Sequence, residues 1–371
     1  MPVDINMASV QYQRIKQNIM SKVISGEYAA GERIPSEREL CEIFSLSRTT
    51  IRRAIDELVT EGILFRVPAK GTYVAHNHSP NKYKTGNIAF IRCYRRDPLS
   101  SINDDIFYPR ILTGVETTIS QNGYHCLVQS INENDFSDQG LALLTQKVDG
   151  MICCELRNRR LLERLRSTQL PLVLVSPSVE LNTVDVVAIS NREGALEAVN
   201  HLINLGHKDI AFVGGSPNST PSRERQTGYT EALEQEGLPV LAERMISLGW
   251  QQADGCEAMN RLLKMRPVPT AVFAASDLLA LGAYDAADEA GVRIPEDISV
   301  MGFDDIDMAA QAKPRLSTVL VRKMEIGQLA AQLILEQLGG DRDYPLKIVV
   351  PTVLVQRESA ADIRVLAATT R

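Results

Sequence analysis

No stretch of this 371-residue sequence approaches the roughly 18 continuous apolar residues that a membrane-spanning helix takes. The N-terminus has no apolar run followed by a cleavage site, so no signal peptide is expected. These absences point to a cytoplasmic protein with no membrane partner. Cysteine is sparse and unpatterned: positions 41, 93, 126, 153, 154 and 256 contain no C-x-x-C and no Cys/His ligand spacing. Buried, reduced thiols and no metal site are the expectation. Cofactor loops are missing as well. Gly214-Gly215-Ser216 is glycine-rich but lacks the G-x-G-x-x-G spacing, and no G-x-x-x-x-G-K-[ST] occurs. No Ser/His/Asp set has motif support, and His201 and His207 flank a helix end, where a structural role is the simpler account. The sequence therefore predicts neither an enzyme nor a bound cofactor.

The apolar fraction of 44% is that of an ordinary globular protein with a sizeable core, and the length leaves room for two or three domains. Net charge is −6, unevenly spread. Residues 1–80 hold ten Lys/Arg against nine Asp/Glu, a balance of +1, which leaves −7 on the remainder. A weakly basic head on an acidic body suits a protein that touches nucleic acid at one end only, although an ordinary solvated surface would also give such an asymmetry.

Residues 11–26 read as an amphipathic helix, with Tyr12, Ile15, Ile19, Val23 and Ile24 at three- and four-residue spacing and Gly26 as its stop. Ser36 is placed to cap a second helix, with Glu39 three residues on as its capping-box partner and Leu40, Ile43 and Phe44 as its buried face. Ser47 caps a third, which turns Ile51, Ala54, Ile55, Leu58 and Val59 inward and ends at Gly62. That third helix opens on hydroxyls and arginines, with no acid between Arg48 and Arg53. Such an N-terminal turn can be laid against phosphates and base edges. Two short strands follow, Ile63–Val67 and Thr72–Val74, joined by Pro68-Ala69-Lys70-Gly71. The pattern is a helix-turn-helix with a β-hairpin wing that carries a lysine at its tip. It resembles the GntR-family winged helix-turn-helix over about residues 10–76, in the P-S-E-R-E-L run from Pro35, the S-R-T-T-I-R-R-A run from Ser47, the E-G-I-L turn and the K-G-T-Y-V wing. The resemblance implies DNA contacts from Ser36, Arg38, Ser47, Arg48, Thr49, Thr50, Arg52, Arg53, Lys70 and Gly71. Ala69 departs from the glycine frequent in the family, which would strain the wing tip if that position needs positive φ.

A polar stretch near 77–86, with Pro80, Lys82 and Lys84, reads as a linker. His76, just before it, and His78, within it, have no acid or cysteine near enough in sequence to suggest a metal. Beyond it, apolar runs at Ile88–Ile91, Cys126–Val128, Met151–Cys154, Leu172–Val175, Ile210–Val213, Ala271–Ala274 and Ile298–Met301 alternate with helical stretches. This rhythm predicts an α/β body with parallel sheets covered on both faces, most economically as two doubly wound lobes. The expected boundaries are 1–78 for the DNA-binding domain, 79–86 for the linker and 87–371 for a body that binds an effector and dimerises.

Over about 87–360 the body resembles the LacI/GalR effector domain, of the periplasmic-binding-protein type I fold. The resemblance rests on Val148–Ile152, Gly194-Ala195, His201–Gly215, Arg225–Tyr229, Ser276–Ala283 and Ile298–Asp305. A GntR head on a LacI body is the arrangement of the bacterial arabinose-repressor type. It implies an effector between the lobes, with chain crossings near 190, 317 and 345. By position in the motifs, Arg225 would grip ligand oxygens, as its planar fork of donors suits. Asp304 would accept ligand hydroxyls, Trp250 would lay its ring over the ligand, and Phe107 and Tyr108 would line the site. Each has a plainer alternative: a surface arginine, a capping carboxylate, core rings. Asp305 is expected to point elsewhere. Ser276, implied as a further effector contact, stands where many relatives have asparagine, and Ser176 and Ser190 where aspartate is frequent. A hydroxyl reaches less far and offers less, so no relative's ligand transfers directly.

The resulting expectation is a ligand-responsive transcriptional regulator, a homodimeric repressor of carbohydrate-utilisation genes that binds operator DNA and a sugar or related metabolite. A non-sugar corepressor such as a purine, or a sugar-binding protein with no role at genes, remains as the alternative.

Overall fold

The computed structural model describes residues 5–24, 27–29, 31–60, 63–67, 70–74, 85–94, 107–179, 183–340, 342 and 344–363. They divide into two units, 1–84 and 85–371. The first contains α1 (Ile5–Ile24), α2 (Glu37–Phe44), α3 (Arg48–Thr60), β1 (Leu64–Val67) and β2 (Gly71–Val74). Its core joins Ile15 and Ile19 of α1, Leu40 of α2, Ile51, Ala54, Ile55 and Leu58 of α3, and Leu64 and Val74 of the hairpin. Helix α1 starts six residues before the expected position 11. Ser36 and Glu39 form the expected capping box.

Ile43, expected on the buried face of α2, is 63% exposed. The side chains of α2 that pack on the core are Leu40, Cys41 and Phe44. At about 100° per residue, position 43 falls well to one side of the stripe those three define. The polar stretch at 77–84, with His78, lies outside the described residues, as do His76, Ala69, Gly26 and Gly62.

In the second unit, β5 (Gly150–Cys154), β6 (Leu172–Val175), β8 (Ile210–Gly214) and β10 (Ala271–Ala274) are buried at every position. Strands covered on both faces read as unbroken apolar runs, which is why these were legible. Two parallel sheets result. One has the order β13-β7-β6-β5-β3-β4, with β3 (Asn87–Tyr94), β4 (His125–Asn132), β7 (Asp185–Ile189) and β13 (Lys347–Val350). The other has the order β11-β10-β8-β9, with β9 (Met245–Ser247) and β11 (Ser299–Met301). A short antiparallel pair, β12 (Thr318–Leu320) with β14 (Val353–Val355), is tied to the second sheet by bridges Met301–Ser317 and Asp304–Leu320.

The helices are α4 (Tyr108–Gln121), α5 (Asp138–Thr145), α6 (Arg159–Ser167), α7 (Asn191–Asn204), α8 (Thr220–Gln235), α9 (Gln252–Leu263), α10 (Asp277–Glu289), α11 (Asp307–Gln311) and α12 (Lys323–Gly339). The chain passes from the first lobe to the second after β7. It returns between β12 and α12, which packs on α4 and the first sheet, and leaves again between β13 and β14. The second and third passages fall a few residues beyond the expected 317 and 345. Asp149 anchors the start of the body: its carboxylate accepts from the amides of Thr85 at 2.7 Å and Gly86 at 2.9 Å. No helix among the described residues is long and apolar enough to cross a membrane.

Candidate functional site

In the head, the turn between α2 and α3 sets the N-terminus of α3 beside that of α2. Ser47 stands just before α3, and its hydroxyl lies 2.8 Å from those of both Thr49 and Thr50. Arg48 and Arg52, one turn apart, converge on Glu37, with Nε to carboxylate distances of 3.2 and 3.4 Å. Arg66 of β1 joins them from the wing at 3.4 Å and also pairs with Asp56 at 2.6 Å. Sequence reasoning passed over Glu37 and Arg66, because an ion pair between residues 29 apart leaves no periodic signal.

Other predicted contacts are placed differently. Arg53 lies over the Tyr12 ring at 4.2 Å and pairs with Glu57 at 3.6 Å. Arg38 is almost fully exposed and pairs with Glu42 at 3.4 Å. The Ser36 hydroxyl is engaged as a helix cap, accepting from the Glu39 amide at 3.3 Å. Gly71 has φ +127, and a Cβ there would come within 2.7 Å of Arg33 Nε, so this position is fixed by the backbone.

Lys70 is exposed beside Gly71, its amide donating to the Val67 carbonyl at 3.0 Å. The chain from Gly31 to Ile34 hydrogen-bonds along β2 and holds the hairpin. If Lys70 meets phosphate, Lys70→Ala will lower the slope of log affinity against log salt by about one unit. Fluorescence-anisotropy titrations at several salt concentrations give that slope, and a wild-type value would remove Lys70 from the interface.

In the body, the second-sheet strands β8, β10 and β11 point their C-terminal ends at one place, where open α/β sheets take ligands. Arg225, on α8, is only 3% exposed. Its Nε donates to Asn191 Oδ1 at 2.9 Å, and its Nη1 donates to the Ala275 carbonyl at 2.5 Å. Its guanidinium lies over Phe303, 3.7 Å from the ring centroid, and 5.9 Å from that of Trp250. Three residues on, Gly228 faces the backbone of Arg192, where a Cβ would collide, so the R-x-x-G spacing presses α8 onto α7 and fixes the arginine. Gly215 faces the Trp250 ring in the same way.

Asp304 follows β11 with φ +112. Its Oδ1 sits 3.2 Å from Arg225 Nη1 in an ion pair, yet accepts no aligned hydrogen bond. Its carbonyl oxygen accepts from Lys323 Nζ at the start of α12. Burial pushes the Asp304 carboxyl up and Arg225 and Lys323 down; the opposite charges oppose this in each case. Asp277 lies beneath. Burial, and then nearby Asp304, push its carboxyl up to about 8, although its oxygens accept from the Thr318 hydroxyl at 2.5 Å and the Ile306 amide at 2.8 Å. Those bonds fix the loop that carries Asp304. Asp305 turns away and pairs with Arg357 at 2.7 Å.

Ser276 caps α10, its hydroxyl accepting from the Leu279 amide at 3.3 Å. Ser190 donates to Glu193 at 2.7 Å. Tyr108 is buried in the core, edge-on to half-buried Phe107 at 5.4 Å, and Lys323 Nζ stands 5.5 Å from the Phe107 ring. A continuous path of contacts therefore runs from Phe107 through Lys323, Asp304 and Arg225 to Trp250. Asn191, Phe303, Asp277 and Lys323 were not singled out from sequence. Phe303 and Asp277 lie inside recognised motifs, whereas a lone lysine at a helix start gives no signal.

Residues 11–74 match the family described as bacterial regulatory proteins, gntR family, and residues 199–360 match the periplasmic binding protein-like domain. The arabinose metabolism transcriptional repressor of Halalkalibacterium halodurans is 30% identical over 375 residues, covering 95% of this chain and 97% of that protein. The HTH-type transcriptional repressor PurR of Haemophilus influenzae is 30% identical over 334 residues, 86% of this chain and 97% of that one. Among solved structures, the transcriptional regulator CelR–cellobiose complex superposes with a TM-score of 0.67 at 29% identity, over 84% of this chain and 90% of that one. A LacI family transcriptional regulator from Enterococcus faecium with bound ribose gives 0.64 at 27% identity, over 74% and 99%.

Proposed function

The chain belongs to the family of transcriptional repressors that join a GntR-type head to a LacI-type effector body, and on that premise we propose that it represses carbohydrate-utilisation genes under the control of a sugar held between its two lobes. The observation that carries the reading is the buried Arg225–Asp304 pair, 3.2 Å apart beside the C-terminal ends of the second-sheet strands and next to the Trp250 ring. A carboxylate and a guanidinium side by side offer acceptors and donors that match ligand hydroxyls. The neighbouring Trp250 face suits the C–H face of a sugar ring.

Arg225 and Asp304 bind, Asn191 holds the guanidinium, and Phe107 closes the far side next to Lys323. The head reads operator DNA through Arg48 and Arg52 as a dimer, which makes the operator a rough palindrome. The ligand changes operator affinity only as far as it prefers one lobe arrangement over the other. Thermal-shift screening against pentoses, hexoses, their phosphates and purines tests the ligand class, and operator titration with each hit tests the coupling. A purine hit with no sugar hit would overturn the sugar assignment. A sugar hit that leaves operator affinity unchanged would overturn the regulatory role of the cleft.

A further inference from the structure

Glu37 is the one carboxylate described at the junction of α2, α3 and the wing that meets three guanidinium groups: Arg48 and Arg52 of α3 and Arg66 of β1. Its side chain is 18% exposed, against 74%, 59% and 42% for the three arginines. An acid on a surface that approaches DNA repels phosphate and weakens sequence-independent affinity. Here the acid lies beneath the cations and holds them together. Without it, three like charges on flexible stems would separate, each free to follow the nearest phosphate. With it, Arg48 and Arg52 are ordered before DNA arrives, so less side-chain freedom remains to be lost on reading a base.

We propose that Glu37 is a positioning residue that sets the sequence discrimination of the head, holding Arg48 and Arg52 in a base-reading array that Arg66 closes from the wing. The inference rests on the reading of α3 as the helix that reads DNA. It differs from a direct contact of Glu37 with a cytosine amino group, which would act without the arginines.

The test uses the full chain and two duplexes: one selected by the wild-type protein from a random-sequence pool, and one scrambled from it. Affinities for both are measured across a salt series. Glu37→Gln is expected to bind the selected duplex about tenfold more weakly and the scrambled duplex more tightly, so that the ratio between them collapses. Glu37→Asp keeps the charge but not the reach and should lie between; if Glu37→Gln does not fold, its ratio decides. In an Arg48→Gln/Arg52→Gln background, Glu37→Gln should change the ratio no further. An unchanged ratio in the single variants overturns the proposal. So does a further loss in the arginine-free background, which would mark direct base contact. If the arginine substitutions themselves leave the ratio intact, the fault lies with the reading of α3 rather than with Glu37.

Discussion

Replacing Asp304 with Asn should raise the effector concentration needed to change operator binding by about tenfold to a hundredfold, the range expected when a hydrogen bond to a charged group is lost. Effector-free operator affinity should stay at the wild-type value, because the substitution leaves the head untouched. Asn suits the test better than Ala. Position 304 has φ +112, which few side chains adopt and Asn tolerates better than most. Both substitutions remove the charge facing Arg225, and losing one partner of a buried ion pair costs up to about 3–5 kcal/mol, but Asn keeps a side-chain oxygen beside Nη1 where Ala keeps none. With Ala, loss of response would be confounded with loss of the second lobe.

The reciprocal variant is Arg225→Lys, which keeps the charge and removes the planar fork that reaches Asn191, Ala275 and Asp304 together. Both variants should behave as regulators fixed in their ligand-free state, a super-repressor phenotype where the ligand induces. Operator binding titrated with the effector found by thermal shift provides the measurement, with melting temperature as the control for folding. Wild-type effector concentrations in both variants would require the cleft assignment to be abandoned.

Arg48→Ala and Arg52→Ala should each weaken operator binding by about 1–3 kcal/mol if the arginine reads a guanine, and by less if it meets only phosphate. Effector binding should be unaffected. Both guanidinium groups are well exposed and lie one turn apart at the start of α3. Arg53 provides an internal comparison: it stacks on Tyr12 of α1, so Arg53→Ala should affect head stability before it affects base preference. Electrophoretic mobility shifts at moderate salt measure all three. Unaltered operator affinity in both Arg48→Ala and Arg52→Ala would sink the docking of α3 in the major groove.

How far the sequence reached differs between elements for physical reasons. Buried parallel strands announce themselves as apolar runs, so β5, β6, β8 and β10 were found. The edge strands β9 and β13 were not. Strand β9 has only Met245 and Ile246 before Ser247, and β13 has three apolar residues between Lys347 and Pro351, both too short to stand out, and the exposure of Val349 is decided by the fold. Strand β7 opens on Asp185, a polar residue whose burial is compensated by Arg342 at 2.5 Å, 157 residues away. In α2 the three-residue spacing placed Ile43 inward beside Leu40. Phe44 packs on the core as expected, but Cys41 takes the place expected of Ile43, which is exposed.

The sequence by itself determined the kind of molecule: a capped helix pair with a wing, followed by a doubly wound body, because caps, turns and buried strands are local or periodic. It also placed Arg225 and Asp304 in motifs and singled out Trp250 as the one tryptophan, with roles that the resemblance implies. Only the tertiary structure decided which charges meet. Glu37 gathers arginines from α3 and β1, and Lys323 from the start of α12 reaches the backbone of Asp304. Asn191 and Ala275 hold Arg225 from two other segments. These are pairings between residues far apart in the chain, and Coulomb attraction in a buried site depends on distance and exposure, neither of which is written in the order of the residues.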